Sequence, residues 1–140
     1  MIDRPRNPLD QQKRQSAIER VVRDPLKYLR SYREQGNNCR ACIIFLRKVS
    51  REIQDDSSYA IRNPDPTYAQ FQRNSNGTVE HYIALFTLLK ETGFSRVDVE
   101  SALMDDLPVP KKDQDIQFSS PREIVRYYLK LTKSALDEVY

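Results

Sequence analysis

Residue types that do chemistry are sparse in this chain, and their spacing limits what they can do. Cys39-Arg40-Ala41-Cys42 is a C-x-x-C. A redox pair of this kind needs its first thiol at a helix N-terminus, where the positive end of the helix dipole favours the thiolate. Cys39 does stand at the start of a helical pattern. No strand precedes it, however, and both cysteines fall on the apolar stripe of the helix they open, so buried core residues are the expectation. His81 is the only histidine. With two cysteines it cannot complete an ordinary four-ligand Cys/His zinc site, and it sits beside Tyr82 in the most apolar segment. Asp55-Asp56 and Asp105-Asp106 fall at helix ends or in loops, where solvated turns account for them. Three glycines in all supply no phosphate-cradling loop, and neither a Walker sequence nor G-x-G-x-x-G is present. The expectation is a non-enzymatic chain with no catalytic residue, no metal site and no cofactor.

Binding chemistry is better supplied. Residues 1–51 hold 13 Lys/Arg and 5 Asp/Glu, whereas residues 52–140 hold 10 and 15, so the net charge of +3 hides a basic first third. Such a segment suits an acidic partner, or it only solvates outward helix faces. Arg14, Arg20, Arg23 and Arg30 are the candidate contacts if the partner is nucleic acid. The segment LLKETGFSRVDVESALM, 88–104, has the outline of a helix-turn-helix. Ser95 and Arg96 could meet phosphates at the start of its second helix, but Asp98 and Glu100 follow and would repel them. A structural corner is the expected role.

The elements that must position these groups are helices. Ile18, Val21 and Val22 recur at helical spacing before Arg23. Asp24-Pro25 supplies an N-cap and a first-turn proline for a helix carrying Leu26, Leu29 and Tyr32, which stops at Gly36. Asn37 or Asn38 caps a core helix with Cys39, Cys42, Ile43, Leu46, Val49 and Ile53 inward and Arg40, Arg47, Lys48 and Arg51 outward. Thr78 opens a helix that is apolar on more than one face and ends at Gly93. Ser95 caps a short helix, with Asp98 as its capping-box partner. Residues 105–119 are expected to form a loop, in which DIQF, 115–118, is the only strand candidate. Ser120, Pro121 and Glu123 combine cap, first-turn proline and capping box for a last helix whose inward stripe is Ile124, Tyr128, Leu131 and Ala135. The fold class is therefore all-α: a compact bundle of about six helices in a single domain over 1–140, with residues 1–8 flexible and at most one very short strand pair.

One segment interrupts this pattern. IRNPDPTYAQFQRNSNGT, 61–78, combines Pro64 and Pro66 with a polar glycine turn, yet it carries Tyr68 and Phe71. An irregular inset is expected here. Its rings would be anchored on the core, and Arg62, Arg47, Lys48 and Arg51 would edge a groove for a short peptide. A connector whose aromatics plug the bundle is the plainer alternative.

The order of elements from 39 to 94 resembles the PUB domain family, helical modules of peptide N-glycanase and of ubiquitin-pathway adaptors. Ile61-Arg62, Pro66-Thr67-Tyr68, Gly77 and Gly93-Phe94 match that family's Ile-Arg, Pro-Thr-Phe variant, turn glycine and helix-ending Gly-Phe. The resemblance covers roughly two-fifths of the chain. It implies an adaptor of the ubiquitin and valosin-containing AAA ATPase system, with a peptide bound near Arg62, Asp65, Thr67 and Tyr68. Asp65 stands where the family carries an asparagine that hydrogen-bonds its peptide, and an ionised carboxylate only accepts. The helix between Gly77 and Gly93 is also about two turns longer than the family pattern, and the family's short strands after Gly-Phe are not evident.

The sequence thus leads to a protein–protein interaction module for a peptide or protein partner. Its alternative is a basic nucleic-acid-binding helical protein or a subunit of a nucleoprotein complex. No membrane span or secretory start is evident in MIDRPRNPLD or beyond, and two cysteines without other signs of export fit a cytoplasmic or nuclear setting.

Overall fold

The computed structural model describes residues 8–55, 61–74, 77–105 and 120–140. Seven helices and no strand are found among them: α1 (Pro8–Arg23), α2 (Pro25–Glu34), α3 (Cys39–Asp55), α4 (Pro66–Arg73), α5 (Val79–Thr92), α6 (Arg96–Asp105) and α7 (Pro121–Val139). The all-α bundle expected from periodicity is what forms. Of residues 1–8, expected to be flexible, Pro8 already belongs to α1, and residues 1–7 lie outside the described part. The expected loop at 105–119 and the strand candidate DIQF lie outside it too, save Asp105, which ends α6. No described helix is long and apolar enough to cross a membrane.

α5 is the axis. Its buried residues His81, Tyr82, Ala84, Leu85, Phe86, Leu88, Leu89 and Thr92 point in several directions, because α4 and α7 pack on it closely and α2, α3 and α6 complete the enclosure. Thr78 caps its start by accepting the His81 N–H. Gly93 ends it in a left-handed conformation, φ 112°, with Phe94 N–H reaching back to the Leu89 carbonyl at 3.1 Å. That is the helix-ending geometry glycine permits at low steric cost.

The inset differs from its expected irregular form. Residues 66–73 are helical, and the prolines explain why. Pro66 occupies the first helical turn, where its missing N–H is no loss, and Asp65 caps the helix by accepting the Tyr68 N–H at 3.0 Å. This is the same device as Asp24-Pro25 at the start of α2. Irregular backbone is confined to the flanks, where Asn63 takes φ 52°. An aromatic chain then ties α4 into the core: Tyr68 to Phe71, Phe71 to His81, His81 to Tyr82 and Tyr82 to Phe86, with centroids 4.6–5.6 Å apart.

Candidate partner-binding surface

α3 carries the most concentrated set of candidate contacts. Asn38 caps it, its side chain accepting the Ala41 N–H at 3.0 Å. Cys39, Cys42, Ile43, Leu46 and Val49 enter the core. The helical period then forces Arg40, Ile44, Arg47 and Arg51, at i, i+4, i+7 and i+11, onto one outward stripe, with Lys48 on its flank. Arg40, Lys48 and Arg51 are exposed and have no hydrogen bond or ion pair among the described residues. Ile44 is 48% exposed in their midst.

Arg47 is different. It is half-buried, and its Nε and Nη2 are enclosed without a hydrogen-bond partner among the described residues. Its charge acts on two neighbours, His81 of α5 and Tyr128 of α7. His81 is held almost wholly inside. Burial chiefly lowers its pKa to about 4, the Arg47 charge acts in the same direction, and hydrogen bonding to backbone at Phe71 and Asn74 opposes. Its Nδ1 lies 2.9 Å from the Phe71 carbonyl, which can only accept, so the neutral ring carries its proton on Nδ1 and leaves Nε2 as a buried acceptor. Tyr128 is raised, chiefly by burial, then by Tyr127, with Arg47 opposing. A guanidinium with unanswered donors beside an imidazole with an unanswered acceptor is a polar seam under a basic stripe.

The remaining sequence candidates are distributed rather than gathered. Tyr68 is 0% exposed and donates its hydroxyl to the Leu46 carbonyl at 3.3 Å, so it braces α4 against α3 and cannot touch a partner. Its pKa is pushed up by burial. The Asp65 carboxylate is engaged as the α4 cap, and its N–H donates to the Val22 carbonyl at 2.8 Å. Thr67 is half-buried on the first turn of α4. Arg62 is exposed beside the end of α1, where Arg23 Nε donates to its carbonyl at 2.9 Å. Three shallow hollows of about 440, 410 and 400 Å³ are lined by described residues of α1, α2, α3 and the α5–α6 corner, and none by residues 61–78. The groove expected beside the inset is thus not among them.

The residues put forward for nucleic acid are mostly engaged. Arg14 pairs with Glu52 at 3.2 Å, Arg23 with Glu19 at 3.5 Å, and Arg30 donates to the Glu91 carbonyl at 3.2 Å. Arg20 lines the hollow on α1 with Gln12, Lys13 and Ser16. The helix-turn-helix outline is a structural corner. Ser95 and Asp98 exchange the two capping-box bonds, and Arg96 is tied to Glu100 and Asp137 at 3.0 and 2.7 Å. Both cysteines are free and buried. Burial pushes the Cys39 thiol up to about 12, with Cys42 and then Asp98 adding to it, and raises Cys42 against the Arg33 charge. Neither is a thiolate near neutrality, as core placement requires.

Two exposed aliphatic residues stand on α7, where Val125 and Leu129 are 42% and 48% exposed. Their i, i+4 spacing is indistinguishable in sequence from an inward pair. No protein-family model, curated protein or solved structure matches the chain.

Proposed function

We propose that this chain is a non-enzymatic interaction module that captures an acidic peptide segment of a partner protein along the outward stripe of α3. The observation that carries the reading is the unpaired positive row Arg40, Lys48 and Arg51 around exposed Ile44, with Arg47 set half-buried in its middle. Carboxylates arriving along the stripe would pair with the exposed Arg40, Lys48 and Arg51, and charge-assisted pairs of this kind are the strong ones, whereas the Nε and Nη2 of Arg47 are enclosed and add only their positive charge from behind. Ile44 offers an aliphatic contact beside them. The PUB-like adaptor reading belongs to the same proposal. Its support is the order Ile61-Arg62, Pro66-Thr67-Tyr68, Gly77 and Gly93-Phe94. In this chain Asp65 serves a helix cap, so ligand contact is assigned to α3 rather than to the Pro-Thr-Tyr turn.

The test is fluorescence anisotropy of a labelled Asp/Glu-rich peptide bearing one leucine, titrated with the wild type and with Lys48→Glu/Arg51→Glu. Roughly tenfold or greater weakening is expected from two reversed rim charges. Unchanged affinity sinks the α3 assignment. Labelled duplex DNA and RNA titrated over a salt series separate the alternative: affinity for nucleic acid that falls steeply with salt, with no peptide binding, would make the chain a phosphate-backbone binder instead.

A further inference from the structure

α7 carries a stripe that runs past the edge of the bundle. Val125, Leu129, Thr132 and Leu136 stand at i, i+4, i+7 and i+11, one continuous line along the helix. Its second half is covered, Thr132 and Leu136 each being 4% exposed, whereas Val125 and Leu129 in the first half stand open. The covered half lies where the α5–α6 corner is tied down: Arg96 bonds Asp137, the Tyr140 hydroxyl donates to the Phe94 carbonyl, and Lys90 Nζ donates to the Val139 carbonyl. The open half is fixed on its other flank by the Tyr127 hydroxyl, which donates to the Gly77 carbonyl at 2.6 Å. It is therefore a held surface rather than a fraying end.

Beside the open aliphatics runs a second line, of cations. Arg122, Arg126, Lys130 and Lys133 are all exposed. Lys133 pairs with Asp137 at 2.9 Å, while Arg122, Arg126 and Lys130 have no ion-pair partner among the described residues. The stretch 122–133 is about 17 Å long, three turns of helix.

We propose that this open half of the α7 stripe docks an acidic amphipathic helix of a partner protein, a second surface distinct from the α3 stripe. Leucine-type side chains at i, i+4 and i+7 of such a helix would seat against Val125 and Leu129, and glutamates on its flank would face Arg122, Arg126 and Lys130. Charge decides against a second copy of the chain, because two such faces would bring like charges together. The layout decides against a bilayer. Interfacial helices set their aliphatics centrally with basic residues on both sides, whereas here Val125 and Leu129 line one edge of the cationic strip. An adaptor with one peptide surface on α3 and one helix surface on α7 would join two partners, and the α7 surface stands or falls without the α3 assignment.

The probe is a synthetic helical peptide with leucines at i, i+4, i+7 and i+11 flanked by glutamates, titrated into the full isotope-labelled chain, with a lysine-flanked version as control. Saturable binding is expected, with amide shifts concentrated at 122–133. Leu129→Glu and, separately, Arg126→Glu should each weaken it by about fivefold or more, while Lys48→Glu/Arg51→Glu should leave it unchanged. Because both α7 positions are exposed, circular dichroism should match the wild type, and the shift map on the unaltered chain gives an answer independent of any variant. Four results would overturn the proposal: equal affinity for the lysine-flanked peptide, shifts confined to α3, a concentration-dependent dimer that Leu129→Glu abolishes, or adsorption to phosphatidylserine vesicles with no peptide binding.

Discussion

His81 donates its Nδ1–H to the Phe71 carbonyl at 2.9 Å while its ring stacks on the Phe71 ring at 4.6 Å, so one residue of α5 holds both the backbone and the side chain of α4. This contact uses the neutral imidazole. Inside the fold its pKa is lowered from 6.5 to about 4, chiefly by burial, so the unfolded chain takes up a proton between those values that the folded chain refuses. Stability from this group is therefore fully present above pH about 6.5 and is lost as the pH falls toward 4, by on the order of 3 kcal/mol in all. Urea unfolding at a series of pH values should show that decline. His81→Phe, which keeps a ring but not the titration, should flatten it. Asp98 and Asp137 have lowered pKa values, from the Ser95 hydrogen bonds and from Lys133 and Arg96 respectively, so their contributions begin to be lost as the pH falls through the ordinary carboxylate range and meet only the acid end of this window. A slope that persists in His81→Phe would show that another group is responsible.

Asp65 and Tyr68 brace α4 and are expected to behave as structural residues. Asp65→Asn keeps an acceptor at the cap and should leave stability nearly unchanged, while Asp65→Ala should cost about 1 kcal/mol. Tyr68→Phe removes the hydroxyl that bonds the Leu46 carbonyl and should cost about 1 kcal/mol, with that carbonyl left to find another partner. Chemical denaturation measures all three. None of the three should change affinity for the acidic peptide by more than about twofold. A large loss of binding with stability intact in Asp65→Asn would return the ligand to the Pro-Thr-Tyr turn.

The contrast between Asp24-Pro25 and Asp65-Pro66 shows where sequence and structure part. Both are cap plus first-turn proline, and both start helices. The first is transparent because a clear apolar stripe follows it. The second is masked by Pro64 and by only eight helical residues before Asn74, so that two prolines close together read as a break. Helices with one buried face, α3 above all, are legible because period and burial coincide. Tyr68 is expected both as a core anchor and as a partner contact, because aromatic type does not distinguish the two, and it is found wholly buried. Its burial follows from tertiary enclosure by α3 and α5, which no local pattern encodes. On α7 the inward stripe Ile124, Tyr128, Leu131 and Ala135 leaves Val125 and Leu129 off it, and only the extent of the bundle decides that their side is open while Thr132 and Leu136 are covered. Arg47 was legible as a candidate, but its unanswered donors depend on where α5 and α7 fall.

Arg33 of α2 ties down the α5–α6 corner, and substitution of Gly93 beside it should show this. A Cβ at Gly93 would collide with Arg33 Nη1, whose guanidinium donates to the Thr92 carbonyl and lies 5.0 Å from the centre of the Phe94 ring. Gly93→Ala is therefore expected to cost about 1–2 kcal/mol, chiefly from backbone strain at φ 112°, with the flexible Arg33 side chain moving aside at small added cost. Gly36→Ala is the control. Gly36 has φ 95° and nothing within 4 Å of a Cβ, so strain alone should apply. Thermal unfolding of both variants measures the difference, which reports the Arg33 contact. Equal losses would mean that Arg33 yields without consequence.

Arg47 brings stability and recognition into opposition. Two of its nitrogens are buried without partners, an arrangement that costs the folded state, whereas an apolar side chain of similar length would have nothing to satisfy. Arg47→Met is therefore expected to leave the chain as stable as the wild type or to raise stability by about 1 kcal/mol, while weakening capture of the acidic peptide by about threefold through the loss of one positive charge behind the stripe. It should also move His81. The Arg47 charge is among the causes that lower the His81 pKa, so its removal should raise that pKa toward the unfolded value and make the acid-linked loss of stability smaller. Denaturation, anisotropy and histidine titration by NMR give three readings on one variant. If Arg47→Met destabilises the fold strongly and peptide capture is untouched, the guanidinium is a structural brace and the α3 stripe is only a solvated face.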